Sequence, residues 1–502
     1  IVGSNPAGSA SGGRKIFQQK NTCDRNIMTQ LKSKIPKEVC WVSEKLTEAG
    51  FENYLVGGCV RDMLLEREPK DWDIATNATP EEIVRLFPKT FYENDFGTVG
   101  VVVGEPESEI VVEVTPYRVE TEYSDARHPD KVEWAKTVEE DLARRDFTIN
   151  ALAYKLSDET IIDIFDGKKD LEKGIIKAVG DPDERFKEDA LRLLRALRIG
   201  AELGFILEHE TQTAIENNSS ELGKVSKERI RDEFIKIIMS DNPATALEMA
   251  ARLGLLKYVS EEFEKGIGVE QNQAHSYTVW EHLLRSLNHA AKKNFSLHVR
   301  LAALLHDIAK PHTRRKVGND WTFYGHEVVG ARIAKNILDD LKFPRETIEQ
   351  VRKLVRWHMF FSDTEQITLS AVRRLVRNVG PELVWDLMNT RVADRIGTGR
   401  PKETPYRLRK YHSMIEEVMR DPITVKQLSL GGAEVMQITH TEPGPHVGYI
   451  LEILLSEVLN DPKLNTRDYL EKKILELHEL VPKELEKMGR RAREENKGED
   501  EK

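Results

Sequence analysis

The spacing of apolar residues changes once along the chain, at about residue 180. Before that point, short apolar runs such as NYLVGG, GTVGVVV and EIVVEV alternate with helical segments. Their β-branched residues favour strands, and the turn cluster GEPES between the last two runs predicts a hairpin. The first 155 residues or so therefore predict a mixed sheet with helices.

The rest of the chain has the periodicity of helices. Segments such as KERIRDEFIKIIM and PATALEMAARLGLL carry apolar residues every three or four positions, and no strand is predicted beyond residue 180. In the first part, a helix predicted over about residues 28–50 ends at Gly50, and Thr79 and Pro80 mark the start of another. The fold class is therefore α+β, a small mixed-sheet head followed by a long all-helical body.

The amino-acid composition indicates a globular protein without membrane spans or disulfide bonds. With 39% hydrophobic and 32% charged residues, the chain is typical of a globular protein, and no apolar run approaches the roughly 18 residues of a membrane span. Three scattered cysteines predict no disulfide framework, which fits a reducing cytoplasm. A net charge of −10 is unusual for an RNA-binding protein, but local basic stripes decide RNA binding, and part of the acidic excess lies in REENKGEDEK.

The segment DWDIAT contains the first candidate chemistry. Asp71 and Asp73 are two residues apart, so on a strand both point to one face. Paired carboxylates are hard oxygen ligands for Mg²⁺, and two such ions could activate an attacking hydroxyl and stabilise a leaving pyrophosphate.

The residues around this pair add to the hypothesis. Upstream, Gly57 and Gly58 of GGCVRD end a strand and precede a helix, where backbone N–H groups can approach a phosphate. Arg61 could add a charged contact to that phosphate. Downstream, Glu113 of EIVVEV is either a third catalytic carboxylate or an ordinary solvent-facing strand residue.

These segments together resemble the head of class II tRNA nucleotidyltransferases and bacterial poly(A) polymerases, which are polymerase-β-like nucleotidyltransferases. The resemblance rests on LVGGCVRD followed by DWD, and on the second block EEDLARRDFTINALAY. It implies that Asp71 and Asp73 bind Mg²⁺ and that Gly58, Arg61 and Arg145 contact the nucleotide.

A third block, DERFKEDALRLLRALRIGAELGF, predicts how the nucleotide is selected. Asp189 and Arg192, three positions apart on a predicted helix, would share a face. One acceptor beside one donor pairs with the amino group and ring nitrogen of C or A and rejects G and U. The E-D-x-x-R motif of the family supports this assignment. Arg195 and Arg198 continue along the same helix and are predicted to contact phosphates or to shape the nucleotide pocket. The alternative is an exposed basic stripe that packs by its aliphatic stems.

Two features favour CCA addition over poly(A) synthesis. The polar stretch VETEYSDARHPDKVEWAKT, with Tyr123, Arg127 and His128, resembles the flexible loop that accompanies terminal A addition in the family. The segment ENDFGTVGVVV stands where poly(A) polymerases of the family carry a basic one.

The helical body contains a second candidate metal site. His282, the adjacent pair His306–Asp307 in ALLHDIAKP, and Asp394 follow in an order that resembles the HD phosphohydrolase superfamily. Imidazole and carboxylate ligands suit a transition metal or Mg²⁺, and His326 and His358 would extend the site to two ions.

The predicted organisation has six segments. They are a disordered arm or cloning remnant without signal-peptide features (1–27), the catalytic head (28–160), a helical neck that selects nucleotides and binds RNA (161–265), an HD domain (266–400), a helical RNA-binding tail that begins with the basic RPKETPYRLRKYH (401–490), and a disordered acidic end (491–502).

The functional hypothesis is template-independent addition of CCA to the 3′ end of tRNA from CTP and ATP, with Mg²⁺ in the head and a second divalent ion at the HD site. No membrane and no obligate protein partner are expected. Two alternatives stay open: poly(A) or A-only addition, and a metal-dependent phosphohydrolase or phosphodiesterase whose head only binds RNA.

Overall fold

A computed structural model describes residues 31–93, 97–123, 129–271, 277–360 and 367–497. The chain forms two compact units, residues 1–225 and 226–502. The boundary between them falls inside the segment predicted as the neck. The predicted arm at residues 1–27 lies outside the described residues.

The first unit carries eleven strands among its described residues. They are β1 (Asn53–Val56), β2 (Trp72–Thr76), β3 (Thr90–Tyr92), β4 (Val99–Val103), β5 (Ile110–Pro116), β6 (Arg118–Tyr123), β7 (Pro129–Trp134), β8 (Ala153–Lys155), β9 (Thr160–Ile162), β10 (Ile175–Ile176) and β11 (Ile206–Leu207). Seven of them form one mixed sheet in the order β3-β4-β5-β2-β1-β8-β9. The predicted GEPES hairpin is confirmed, because β4 and β5 pair antiparallel.

Helices connect and flank these strands. They are α1 (Lys37–Glu48), α2 (Gly58–Leu64), α3 (Pro80–Leu86), α4 (Val138–Ala143), α5 (Gly167–Lys173), α6 (Pro182–Glu188), α7 (Leu191–Leu203) and α8 (His209–Asn217), with 3₁₀ turns at Thr148–Asn150 and Ser219–Lys224. The predicted start of α3 is confirmed: Thr79 accepts a hydrogen bond from the backbone of Glu82 in a capping box, and Pro80 follows it. Gly50 follows the end of α1 at φ +87°, a backbone conformation that glycine adopts without strain.

The stretch predicted to be a flexible loop after β5 is largely regular. Strands β6 and β7 pair antiparallel from Arg118↔Trp134 to Tyr123↔Pro129. The alternating β-branched residues of RVETEY and KVEW can form such a ladder in spite of their charges. Of the residues named for the loop, Arg127 and His128 lie outside the described residues.

The second unit is mainly helical. Its helices are α9 (Lys227–Met239), α10 (Pro243–Arg252), α11 (Leu256–Val259), α12 (Glu261–Glu264), α13 (Val279–Lys292), α14 (Leu297–Leu305), α15 (Lys310–Thr313), α16 (His326–Asp340), α17 (Arg345–Trp357), α18 (Leu369–Val379), α19 (Val384–Gly397), α20 (Tyr406–Val418), α21 (Gly432–Thr439), α22 (Pro445–Asn460), α23 (Arg467–His478) and α24 (Pro482–Lys497). Two 3₁₀ turns, Val425–Gln427 and Pro462–Leu464, join the later helices.

Two sequence-based predictions about the chain beyond residue 180 are wrong. The strands β12 (Arg315–Val317) and β13 (Asp320–Thr322) form a hairpin in the second unit, and β11 pairs in parallel with β10 in the first, although no strand was expected beyond residue 180. These strands are only two or three residues long, too short for a periodicity to register. Residues 491–497, expected to be disordered, continue α24, in which Ala492 and Asn496 are buried.

Buried leucine, isoleucine and valine side chains of α18 to α23 form one continuous core with α17 and α24 in the second unit. Along the described residues, no helix is both long and apolar enough to cross a membrane.

Candidate active site and metal centre

The carboxylates of the head meet on neighbouring parallel strands. Strand β2 pairs with β5 in a register that sets Asp73 directly opposite Glu113. Asp71 comes just before β2 and is exposed. The solvent-facing alternative for Glu113 loses its support, because this residue lies beside Asp73 in the centre of the sheet.

The negative charges of these three carboxylates repel one another. Burial raises the pKa of Asp73, Asp71 raises it further, and Arg145 acts in the opposite direction. Burial, together with Asp73, Glu93 and Asp71, raises the pKa of Glu113 to about 7. Crowded carboxylates of this kind favour a bound cation, so this donor set fits Mg²⁺.

Gly57 lies where no side chain fits. It adopts φ +75°, and a Cβ atom at this position would lie 2.7 Å from Nη1 of Arg145 and 3.6 Å from Oδ2 of Asp73. The glycine therefore allows the Arg145 guanidinium to approach the carboxylates. The buried carboxylate of Asp141 holds Arg145 from the other side, with Oδ2 at 3.1 Å from Nη2.

A chain of hydrogen bonds joins the glycine-rich segment to the neck. Arg61 Nη1 donates to Asn150 Oδ1 at 2.7 Å, and Asn150 Nδ2 donates to Asp146 Oδ1 at 3.0 Å. The other oxygen of Asp146 accepts from Nε and Nη2 of Arg195 at 2.9 and 2.6 Å. Arg195 of the neck is thereby fixed relative to Arg61 of the head.

Asp189 is not on the helix that carries Arg192, so the prediction that the two share a helical face is wrong. It follows the end of α6 at φ −142°, and its Oδ1 accepts a hydrogen bond from the backbone N–H of Leu191 at the start of α7. A break between two helices exposes backbone N–H groups, and the Asp189 carboxylate caps one of them.

Arg192 is buried and held by three acceptors. Its Nη1 donates to Glu188 Oε2 at 2.6 Å and to the carbonyl of Arg185 at 3.1 Å, and its Nη2 donates to the carbonyl of Arg144 at 3.1 Å. The guanidinium is therefore held in one orientation beside the second sequence block.

Arg198 pairs with Glu202 at 3.0 Å within α7. The leucines that alternate with the arginines of this helix, Leu191, Leu194 and Leu197, are buried, as predicted.

Four residues that orient the arginines were not predicted from the sequence. Asp141, Asp146, Asn150 and Glu188 each accept from or position a predicted nucleotide contact. The available signal was their position inside the same blocks, EEDLARRDFTIN and KEDALR. Asp141–Arg145 and Glu188–Arg192 are only four residues apart. Arg61–Asn150 and Asp146–Arg195 are 89 and 49 residues apart, and periodicity could not pair such distant residues.

In the second unit, six buried side chains form one cluster. Two groups of three have ligand atoms within 4.8 Å of one another: His282, His306 and Asp394, and Asp307, His326 and His358. All the HD residues predicted from the sequence, including the two histidines expected to extend the site, therefore meet.

Asp307 joins the two groups through its two oxygens. Its Oδ2 lies 3.1 Å from Nε2 of His282 and 3.3 Å from Nε2 of His306. Its Oδ1 lies 3.1 Å from Nε2 of His326 and 3.6 Å from Nε2 of His358. A carboxylate between two histidine pairs is the arrangement of a ligand that bridges two metal ions.

Backbone carbonyls orient three of the histidines. Nδ1 of His306 lies 3.0 Å from the carbonyl of Ala303, and Nδ1 of His326 and His358 each lies 2.7 Å from a carbonyl three residues earlier. An Nδ1–H bonded in this way leaves Nε2 as the free donor atom for a metal. The donor set thus fits two divalent ions.

The charges of the cluster are consistent with a site made for cations. Burial lowers the pKa of His306, but the carboxylates of Asp307 and Asp394 outweigh burial and raise it to about 10. Burial lowers the pKa of His358 to about 4. Lys310, whose Nζ lies 2.6 Å from Oδ2 of Asp307, and His306 keep the pKa of Asp307 well below its usual range in spite of its burial.

Comparisons with known proteins give matches in both units of the chain. Three family descriptions match the chain: a poly A polymerase head domain over residues 53–177, a probable RNA and SrmB-binding site of polymerase A over 204–267, and an HD domain over 274–393. The CCA-adding enzyme of Leuconostoc mesenteroides subsp. mesenteroides is 34% identical over 442 residues, which cover 85% of this chain and 93% of that enzyme. The CCA-adding enzyme of Limosilactobacillus reuteri is 33% identical over 445 residues, 87% of this chain and 95% of the relative.

Solved structures are similar over most of the chain. The crystal structure of the Bacillus stearothermophilus CCA-adding enzyme in complex with CTP matches with a TM-score of 0.68 and 26% identity, over 88% of this chain and 96% of that one. The Thermotoga maritima CCA-adding enzyme complexed with tRNA matches with a TM-score of 0.51 and 21% identity, over 88% and 94% of the two chains, a likeness of fold alone.

Proposed function

Because the chain belongs to the family of CCA-adding enzymes, we propose that it adds C, C and A to the 3′ end of tRNA from CTP and ATP without a nucleic-acid template. The observation that carries the proposal is the register of β2 and β5, which brings Glu113 beside Asp73 in the head. Three convergent carboxylates next to a guanidinium are suited to the transfer of a nucleotide from its triphosphate.

Asp71, Asp73 and Glu113 hold Mg²⁺ in this proposal. The ion, when bound, supplies positive charge that activates the RNA 3′-hydroxyl and neutralises the departing pyrophosphate. The 3′-hydroxyl oxygen attacks the α-phosphate and its proton passes to solvent, the bond from the α-phosphate to the bridging oxygen breaks, and pyrophosphate leaves. Arg145, held by Asp141 beside the carboxylates, and Arg61 bind phosphate oxygens of the nucleotide. The backbone N–H of Gly58, at the start of α2, adds a neutral donor to the same phosphates, whereas the N–H of Gly57 donates to the carbonyl of Leu152 at 3.2 Å.

Asp189 and Arg192 select the base. The carboxylate accepts from the amino group of C or A, and the guanidinium donates to the adjacent ring nitrogen. The three acceptors that fix Arg192 support this role, because a donor held in one orientation discriminates better than a mobile one. Arg195 and Arg198 lie further along α7 and support the base pocket through their ion pairs.

Nucleotide incorporation tests this proposal. A tRNA that lacks its terminal CCA is incubated with CTP alone, with ATP alone and with both. CTP alone should add two residues, and both nucleotides should add three. Asp71→Ala and Asp73→Ala should abolish transfer without loss of tRNA binding, whereas the exposed Asp158→Asn should not change it. Incorporation of ATP alone at any length would instead identify a poly(A) or A-adding enzyme.

A second function is favoured by the six-residue cluster in the second unit. We propose that His282, His306 and Asp394 would hold one divalent ion and that His326 and His358 would hold another, with one oxygen of Asp307 near each group. The ions, when bound, supply Lewis-acid activation of water for hydrolysis of a phosphate ester. In that reaction a water oxygen bonds to phosphorus, the ester P–O bond breaks, and the alcohol leaves with a proton.

Hydrolysis of a small aryl phosphate measures this second function independently of the first. Manganese-loaded protein should hydrolyse it, and His306→Ala should remove the activity while CTP and ATP incorporation continues. Asp73→Ala should have the opposite effect. Loss of both activities in either variant would mean that the two sites are not independent, and the absence of hydrolysis with any divalent ion would leave the cluster a structural site.

A cytoplasmic location is part of the proposal. It rests on the reduced state of the cysteines, of which Cys40 and Cys59 are described and free, and on tRNA as the substrate. No obligate protein partner is proposed.

A further inference from the structure

A β-hairpin lies in the chain between two residues of the metal cluster, Asp307 and His326. Strands β12 and β13 follow α15, which begins with Lys310, and precede α16, which begins with His326. The two-residue turn places Gly318 at φ +60°. Neither proposed activity uses the hairpin.

One face of the hairpin carries a row of cations and aromatic rings. Lys316 lies opposite Trp321 in the ladder, with its Nζ 5.9 Å from the ring centre. The guanidinium of Arg314 lies 3.7 Å from the centre of the same ring. Because side chains alternate along a strand, Phe323 shares this face with Trp321, and Lys310 Nζ lies 5.5 Å from the Phe323 ring. We call these five residues the hairpin row.

The hairpin row ends at the metal cluster. Lys310 Nζ lies 2.6 Å from Oδ2 of Asp307, the residue that joins the two groups of ligands. The backbone carbonyl of Phe323 lies 2.7 Å from Nδ1 of His326. A molecule bound along the row would therefore reach the cluster at its Lys310 end.

Charge and exposure indicate an anionic partner with planar groups. Residues 310–326 contain four Lys or Arg and one Asp, in a chain of net charge −10. In the row, Lys316 is exposed and Arg314 and Trp321 are partly exposed, whereas Lys310 and Phe323, next to the cluster, are buried. Among the described residues, the Nε of Arg314 is buried beside the Trp321 ring and has no hydrogen-bond acceptor.

We propose that the hairpin row binds the last nucleotides of a single-stranded RNA and brings its terminal phosphate to the cluster. Cations contact the phosphates and aromatic or guanidinium planes stack on the bases. A single strand is required, because a double helix hides the faces of its bases. The inference rests on the proposed phosphohydrolase function of the cluster, and it assigns that site a substrate class.

The probe is a five-nucleotide single-stranded RNA that ends in a 3′-phosphate and carries 4-thiouridine in the penultimate position. The 3′-phosphate prevents its use as a primer by the head. It is bound to the full-length, manganese-loaded protein without CTP or ATP, irradiated, and the crosslinked peptides are identified by mass spectrometry. Fluorescence anisotropy of a labelled copy gives the dissociation constant.

The variants are Trp321→Ala, Trp321→Phe and the double variant Arg314→Gln/Lys316→Gln. The matched control is Lys335→Gln/Arg345→Gln, which removes the same charge from exposed positions on α16 and α17. Metal content and the melting temperature identify any variant that fails to fold. If Trp321→Ala fails to fold, Arg314→Gln/Lys316→Gln provides a second test.

Crosslinks within residues 310–326 are expected in the wild type. Trp321→Ala should weaken binding at least about fivefold, the lower end for loss of one stacked base, and Trp321→Phe should restore most of it. The glutamine pair should weaken binding and flatten its salt dependence, and the control pair should do neither. Crosslinks found only outside residues 310–326, or unchanged affinity in Trp321→Ala, would overturn the proposal.

The two proposals fail separately. Binding along the row without any phosphate hydrolysis supports the hairpin inference and counts against the phosphohydrolase. Hydrolysis of the small aryl phosphate without RNA binding at the hairpin supports the phosphohydrolase and counts against the inference.

Discussion

Asp146 Oδ2 accepts two hydrogen bonds from the guanidinium of Arg195, at 2.9 and 2.6 Å, inside the first unit. The same carboxylate accepts from Asn150, which in turn accepts from Arg61. One aspartate thus couples the neck helix to the glycine-rich segment of the head.

Replacement of Asp146 by Asn should destabilise the first unit by about 1–3 kcal/mol, because the buried Asp146 side chain then loses its charge-assisted hydrogen bonds to the partly exposed guanidinium of Arg195. Urea unfolding of the wild type and the variant measures this difference. Asp158→Asn, which changes an exposed carboxylate, should shift the midpoint little. An unchanged midpoint in Asp146→Asn would mean that the pair contributes nothing to folding.

The acid stability of the protein should also depend on Asp146. Burial raises the pKa of Asp146, but Arg195 and Asn150 outweigh it and lower the pKa well below its usual range. A carboxyl with a lowered folded pKa adds stability above the unfolded value of about 3.9 and loses it as the pH falls below that value. The wild type should therefore lose stability steeply below about pH 4 in urea titrations, and Asp146→Asn should show a shallower loss there.

Gly57→Ala should impair nucleotide transfer beyond its effect on stability. A Cβ atom would lie 2.7 Å from Arg145 Nη1 and displace that guanidinium from the carboxylates, in addition to the strain of φ +75°. Gly50→Ala is a matched control, because Gly50 has φ +87° with nothing within 4 Å of the added atom. Both variants should lose about 1–2 kcal/mol of stability from backbone strain. Only Gly57→Ala should also lower kcat/KM for CTP, by about tenfold or more if one charged contact is lost.

Glu188→Gln should reduce base selectivity more than it reduces activity. Glu188 lies 2.6 Å from Arg192 and holds the guanidinium that is proposed to read the base. The ratio of kcat/KM for CTP and UTP should fall about tenfold, because a mobile donor tolerates the wrong pattern. Glu216→Gln, an exposed residue of α8, should keep the wild-type ratio. If kcat/KM fell by the same factor for CTP and for UTP, Glu188 would have a structural role instead.

Metal content should follow the two-group geometry of the HD cluster. Wild-type protein should bind two divalent ions, and His358→Ala should bind one, since it removes a ligand from one group only. Asp307→Ala should bind neither tightly, because both groups share this carboxylate. His312, which pairs with Glu262 outside the cluster, provides the control His312→Ala. Inductively coupled plasma mass spectrometry after dialysis gives the count, and two ions in Asp307→Ala would exclude a bridging role.

The sequence by itself determined the elements and the chemistry they carry. Short apolar and β-branched runs predicted the strands that carry Asp73 and Glu113, and Thr79 and Pro80 predicted the start of α3. The order of His282, His306, Asp307 and Asp394 resembles the HD superfamily and predicted a metal cluster. Imidazole and carboxylate groups are ligands for divalent ions. Strand propensity, helix caps and ligand types are local properties, which can be predicted from the spacing of residues in a single sequence.

Only the tertiary structure decided which groups face each other. The parallel pairing of β2 with β5 turned Glu113 from an ambiguous strand residue into a neighbour of Asp73. The helix break before α7 took Asp189 off the helix of Arg192, and Asp146 joined Arg195 across 49 residues of chain. Such contacts depend on how distant segments pack together, and no periodicity within one segment specifies that packing.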